Sequence, residues 1–154
     1  MTEPVVLLIV LAGSVLGVAL IVMLNRAIGG WSPAVVAGED GARRALEADV
    51  IDFEAGEGAV DVEGRSALFT ETGGHRLGLV VARGDGLIAR ALGPGDVRQA
   101  AIEDATLVLR LNDYTLPRAE VTLDDIAPAE TWAQRARALY PSAAEPEMEG
   151  ARAD

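Results

Sequence analysis

Residues Val5–Leu24, VVLLIVLAGSVLGVALIVML, run for twenty positions without a charged side chain. At about 1.5 Å per residue, a helix of that length reaches about 30 Å, the hydrocarbon thickness of a bilayer. In lipid every backbone N–H needs an internal partner, and a helix supplies one for each. The polar side chain in the run is Ser14, whose hydroxyl can return to a carbonyl one turn earlier. Pro4 suits a first turn, where the missing N–H has no intrahelical partner to lose. Asn25 and Arg26 end the apolar run. A soluble domain of this size could hardly enclose a helix apolar on every face. The sequence therefore predicts a tail over residues 1–4 and a single membrane span over 5–25, with the bilayer as its partner.

A cleaved signal peptide needs a basic n-region, an apolar core of about 7–15 residues and a small-x-small cleavage site. Here the n-region is Met-Thr-Glu-Pro, the run is longer, and Ala27–Ser32 presents no such site. An uncleaved anchor is expected. Basic residues favour the cytoplasmic side. None precedes the span, whereas Arg26, Arg43 and Arg44 follow it. The expected topology is N-terminus outside and body cytoplasmic. Gly13 and Gly17 form a GxxxG pair on one helix face, which lets a second backbone approach and admits a homo-oligomer.

The basic residues are thirteen arginines, with no lysine; twenty-three acids beyond Glu3 leave the rest of the chain at −10. Such a body repels phosphate backbones and anionic headgroups, so nucleic acid is not an expected partner. Arginine without lysine, among many Ala, Gly, Val and Asp, suggests a GC-rich bacterial genome, and with the span an inner-membrane location. The lack of cysteine fits a reducing compartment and a periplasmic one equally.

Residues 26–38 read as a juxtamembrane linker: Gly29-Gly30 and Pro33 break helices, and Trp31 suits either the headgroup layer or a dock on the body. A short helix is expected over Glu39–Asp49, capped by Asp40, with Ala42, Ala45 and Leu46 at helical spacing. Asp49–Phe53 alternates and either begins the sheet or carries Ile51 and Phe53 into the core. From Glu57 the period becomes two. Strands are expected over Ala59–Val62, Ala67–Thr70, His75–Ala82, Leu87–Leu92, Asp96–Ile102, Ala105–Leu111 and Ala119–Leu123, with the Arg83–Gly86 turn making the clearest hairpin. A last helix follows Asp124 or Asp125. Its stripe is Ala129, Trp132, Ala133, Ala136, Leu139 and Tyr140, and Pro141 stops it. The soluble domain is thus expected over 39–140. Residues 141–154 have too few apolar side chains to offset ordering and read as a disordered acidic tail.

Seven antiparallel strands closed by one amphipathic helix resemble a pleckstrin-homology-like (PH-like) domain, in which two sheets curve into a partly open barrel capped by the helix. The layout is similar to that of small bacterial single-pass membrane proteins carrying such a domain. The expected fold class is a transmembrane helix plus a small α+β, PH-like domain. Phosphoinositide-binding members carry several Lys or Arg around the first hairpin; here that loop is Glu63-Gly64-Arg65, so phosphoinositide binding is not expected.

Chemistry is sparse. His75 is the one histidine, and no G-x-S-x-G surrounds Ser66. One His and no Cys cannot build a conventional zinc site. The acids Asp49, Asp52, Glu54, Glu57, Asp61 and Glu63 lack calcium-loop spacing and read as a solvated face. No phosphate loop occurs, so neither catalytic residues nor a cofactor are expected. The loop Asn112–Arg118 (NDYTLPR) holds Tyr114 and Leu116, large for a loop, between Asp113 and Arg118. Two readings stand: the pair tucks under the barrel, or it forms an exposed aromatic anchor for a protein partner. The expected role is a non-enzymatic, membrane-tethered interaction module, with an assembly subunit joined through its span as the alternative.

Overall fold

The computed structural model describes residues 3–28 and 32–141; Trp31 and the tail beyond Pro141 lie outside them. The chain divides into two units, Met1–Pro33 and Ala34–Asp154. In the first, α1 spans Glu3–Ala27 and is long and apolar enough to cross a membrane. Pro4 lies in its first turn, and the Ser14 hydroxyl donates to Val10 O at 2.9 Å, the back-bond expected of it. Asn25 and Arg26 end the apolar run but not the helix, because a polar side chain at a helix end can leave the lipid while its backbone stays bonded.

The second unit begins before the domain start expected from the sequence. Ala34 N donates to Gly84 O and Val36 N to Gly64 O, both at 2.8 Å, and Val36 is buried. Residues 34–38 of the expected linker are therefore part of the body. Helix α2 covers Gly38–Asp49, and its cap is Ala37 with no side-chain bond. Asp40, expected to cap it, sits inside the first turn, where its charge complements the helix dipole. Residues 51–52 form a turn in which Ile51 is 83% exposed, while Phe53 enters the core.

Seven antiparallel strands follow in two sheets. The first holds β1 (Ala55–Val60), β2 (Ser66–Glu71), β3 (Leu77–Arg83) and β4 (Gly86–Leu92) in sequence order; the second holds β5 (Val97–Glu103), β6 (Thr106–Leu111) and β7 (Arg118–Thr122). Helix α3, Ile126–Arg137, follows the Asp125 cap, whose carboxylate accepts from Ile126 N at 2.7 Å. The fold is a small α+β one, with the strand count and order read from the sequence. The alternation in β3 sorts as expected: Leu77 and Leu79 enter a core shared with Leu107, Leu109, Leu111 and the Trp132 face of α3. Leu139 and Tyr140 continue that face beyond the helix end.

A second core lies on the opposite face of the first sheet. Ala67, Phe69, Val80 and Ala89 face Ala42 and Leu46 of α2, with Val36 and Phe53 at the margin. Strand β2 is thus buried on both faces, which erases the alternation that marks a half-exposed strand. Gly78 is the point of closest approach, since a Cβ there would overlap Leu46 and meet the Phe53 ring.

A further expectation is overturned. Asp61, read as part of a solvated acidic face, is buried. It lies past the end of β1, and its carboxylate accepts from the backbone N–H of Glu63 at 2.8 Å, Arg65 at 3.4 Å and Thr122 at 2.7 Å. Val62 N donates to Thr122 O, and the Ser66 hydroxyl donates to Glu120 O at 2.6 Å. These bonds join the β1–β2 corner to β7 and hold the two sheets together. Hydrophobic alternation does not register an acid that serves as a backbone acceptor.

Candidate functional site

The β6–β7 loop, residues 112–117, is a densely hydrogen-bonded surface feature of the body. Its ends are pinned by Leu111 N donating to Pro117 O and Asn112 N to Asp96 O. Inside the loop, Asp113 Oδ1 accepts from Thr115 N and the Thr115 hydroxyl, both at 2.7 Å, and from Leu116 N at 3.3 Å. This is the local Asx geometry that lets a short acid organise a turn.

Three arginines from three strands then brace the loop from outside. Arg83 Nη1 donates to Thr115 O at 2.6 Å. Arg90 Nε donates to Asp113 Oδ2 at 3.0 Å, and its Nη2 to the Thr115 hydroxyl at 3.2 Å. Arg98 Nη2 donates to Asn112 Oδ1 at 3.0 Å. None of these guanidiniums stands near the loop in sequence.

The two readings of Tyr114 and Leu116 divide between them. Leu116 is 4% exposed and packs into the central core, so it tucks under the barrel. Tyr114 is 105% exposed, as free as in an extended peptide, and stands at the loop tip. Arg118 begins β7 and pairs with Glu120 at 2.7 Å. Asp113, Tyr114 and Leu116 therefore form one unit, and Arg118 belongs to the neighbouring strand face. An open cleft of about 360 Å³ lies on one side of Tyr114, lined by Arg98, Leu111, Asn112, Asp113 and Pro117. A second, of about 350 Å³, is bounded by Arg90, Ala91, Leu92 and Asp96.

Electrostatics rigidify the loop. The Thr115 hydroxyl and N–H, then Arg90, favour the charged form of Asp113 and hold its carboxyl well below the usual carboxylate range. A depressed folded value means that this stabilisation is complete above the unfolded value of about 4 and fades as pH falls through the lower folded one. The exchange protection of Thr115 and Leu116 N–H is thus expected to fall in acid well below pH 4, and Asp113→Ala, which removes the acceptor, to lack that protection already at neutral pH. A pH-independent exchange protection would contradict the bracing.

On α1, Gly13 and Gly17 lie one turn apart, and a Cβ added to either meets nothing within 4 Å. His75 is exposed in the β2–β3 turn, and Ser66 is buried in the sheet corner. Among the described residues no three His, Cys, Asp or Glu side chains gather as a metal group would require.

Sequence reasoning did not single out Arg83, Arg90 and Arg98. The available signal was faint: an arginine at or near an end of three successive strands. No family model, curated protein or solved structure matches the chain.

Proposed function

We propose that this chain is a non-enzymatic protein-interaction module tethered by α1 to a bacterial inner membrane, with its N-terminus outside and its body cytoplasmic. The arginines that follow the span but do not precede it support that orientation. The order of elements supports a PH-like body and with it a kinship to small membrane-anchored PH-like proteins. The observation that carries the interaction reading is Tyr114, a fully exposed aromatic on a loop held by three arginines and a buried Leu116. An aromatic on a loop backbone that is already braced leaves only its own side chain to order on binding, which suits an interface anchor.

Placing a photo-crosslinking p-benzoylphenylalanine at position 114 in native membranes is expected to yield one discrete adduct. Tyr114→Ala is expected to weaken co-purification of the same partner at least tenfold, the effect of losing a hot spot of about 2 kcal/mol. Absence of any adduct overturns the reading.

The second reading, an assembly subunit joined through its span, is favoured by the open Gly13–Gly17 face of α1. It predicts that Gly13→Ile with Gly17→Ile reduces a detergent-stable oligomer to monomer on size-exclusion chromatography with light scattering. An unchanged mass removes this role from the glycines.

A further inference from the structure

The outer face of the second sheet gathers arginine in a body that is otherwise strongly acidic. Leu109 and Leu111 turn into the central core, so Arg110 between them points outward, directly opposite Arg118 of β7. On its other side β5 carries a bulge. Val97 and Ala100 both turn inward, and the register shift between Val97 and Gln99 leaves Arg98 and Gln99 exposed together beside Arg110. Three guanidiniums from three adjacent strands thus share one end of one face. With neighbouring strands about 4.8 Å apart, the row is about 10 Å wide.

Like charges set directly across a strand pair are destabilising. The acids nearby relieve little of this. Glu120 pairs with Arg118 at 2.7 Å, whereas Arg98 and Arg110 have no carboxylate within ion-pair distance among the described residues. At the loop end of the row, Asp113 is occupied by Thr115, Leu116 and Arg90, and Asp96 accepts from Gly93 N. Glu103 lies at the far end of β5, across from Thr106. Arg137 of α3 brings a fourth arginine to β5, where it donates to Ala100 O at 3.2 Å.

The chain's own continuation is an anion within reach. Leu139 O accepts from Gly95 N at 2.8 Å and the Tyr140 hydroxyl from Ala100 N at 2.7 Å, so the backbone leaves α3 alongside β5, anchored on both sides of Arg98. β5 is an outer strand of its sheet, so no further strand separates this exit from the arginine face. Beyond Pro141, outside the described residues, the sequence places Glu145, Glu147 and Glu149 at alternate positions around Pro146 and Met148. In an extended segment alternate side chains share one side and repeat about every 6.8 Å, and Pro146 favours extended backbone. At about 3.5 Å per residue, Glu145 can reach about 14 Å from Pro141 and Glu149 about 28 Å, enough to begin at β5 and cross the row.

We propose that residues 145–149 dock across the outer face of the second sheet, their three carboxylates pairing with Arg98, Arg110 and Arg118. Charge complementarity supplies the attraction, since the segment has little apolar surface to bury. Exposed ion pairs are individually weak and are screened by salt, so the docked state is one that salt releases. Arg98 also lines the cleft beside Tyr114, and the docked segment borders that cleft. The inference stands apart from the interaction-module reading, because it concerns the sheet face and does not need Tyr114 to bind anything.

The chain has no cysteine, so Met148→Cys in the full chain in non-ionic detergent carries a single nitroxide label whose position the amide signals of the body report. At about 10 mM salt, where the screening length is about 30 Å, the label is expected to weaken the amide signals of Gln99, Arg110 and Arg118 at least twofold and to spare Phe69 and Val80 in the second core. The signals are expected to recover at about 1 M salt, where the screening length is about 3 Å. Arg98→Glu with Arg110→Glu is expected to abolish the effect. Adding Glu145→Arg, Glu147→Arg and Glu149→Arg to that pair is expected to restore it, which separates lost charge pairing from a lost fold. No weakening at low salt, or weakening that survives the arginine reversals, overturns the proposal. So does weakening that occurs only between chains, in a mixture of nitroxide-labelled chain with unlabelled isotope-enriched chain, because the segment then serves a second copy. A nitroxide-labelled Glu-Pro-Glu-Met-Glu peptide that reaches the row while residues 145–149 do not also overturns it, and gives the row to a partner's acidic segment.

Discussion

Asp61→Ala is expected to destabilise the body by about 3–5 kcal/mol, although it replaces an acid in a strongly acidic protein. The residue is 3% exposed, and its carboxylate is the acceptor for three backbone N–H groups, of which Glu63 N and Thr122 N are close. A hydrogen bond to a charged acceptor contributes about 1.5–3 kcal/mol, and two close ones are lost at once. The loss falls on the seam between the sheets, because Thr122 belongs to β7 while Asp61 follows β1. Urea unfolding of the full chain in detergent, followed by Trp132 fluorescence with Trp31→Phe as background, is the measurement. With a slope near about 1.2 kcal/mol per molar for a body of this size, the midpoint should fall by roughly 2.5–4 M. Glu63→Ala, two residues away and exposed, should stay within about 0.5 kcal/mol. A parallel small effect at Asp61 would show that the seam does not depend on it.

Gly78→Val has the second-largest expected effect, and here even the sign discriminates. Valine is among the best strand formers, so local propensity alone predicts a gain. The packing predicts the reverse. A Cβ at Gly78 overlaps the end of Leu46 and stands 2.9 Å from the Phe53 ring, and valine adds two further methyl groups. Overpacking of a filled core costs about 1–3 kcal/mol and occasionally more; with helix and ring both displaced, about 3 kcal/mol is expected. The damage should be local to the second core. Hydrogen exchange in α2 and β1 should accelerate more than in β6 or α3. Gly86→Ala, where a new Cβ meets nothing within 4 Å, is the control and should change the midpoint little. An unchanged or raised midpoint for Gly78→Val would mean that α2 does not pack on the sheet as described.

These two residues show what a linear reading of the chain detects. Leu77, Leu79, Leu107, Leu109 and Leu111 alternate strictly, and the strands they predict are present because these leucines share the central core. Where both faces are covered, as in β2, the alternation disappears and the strand bounds come from its neighbours. Gly78 and Asp61 carry no periodic signal. Their importance comes from a helix that crosses one and a strand that reaches the other from sixty-one positions away. The candidate site divides along the same line. Tyr114, Leu116 and Asp113 were visible as unusual loop residues, and the Asx turn is local chemistry. The bracing by Arg83, Arg90 and Arg98 spans 23 to 32 positions for the first two and 14 for the third, and follows only once the strands are paired.

By itself, then, the sequence determined the apolar helix, the seven-strand order, the capping helix and its Trp132 stripe. Each depends on contacts within a few residues or on a period that folding does not alter. The tertiary structure decided the rest: that Val36 belongs to the body, that α2 creates a second core, that Asp61 is a buried acceptor, and that Leu116 is anchored while Tyr114 is displayed. Such properties depend on which distant groups meet, and hydrogen-bond satisfaction and steric exclusion act only at the meeting.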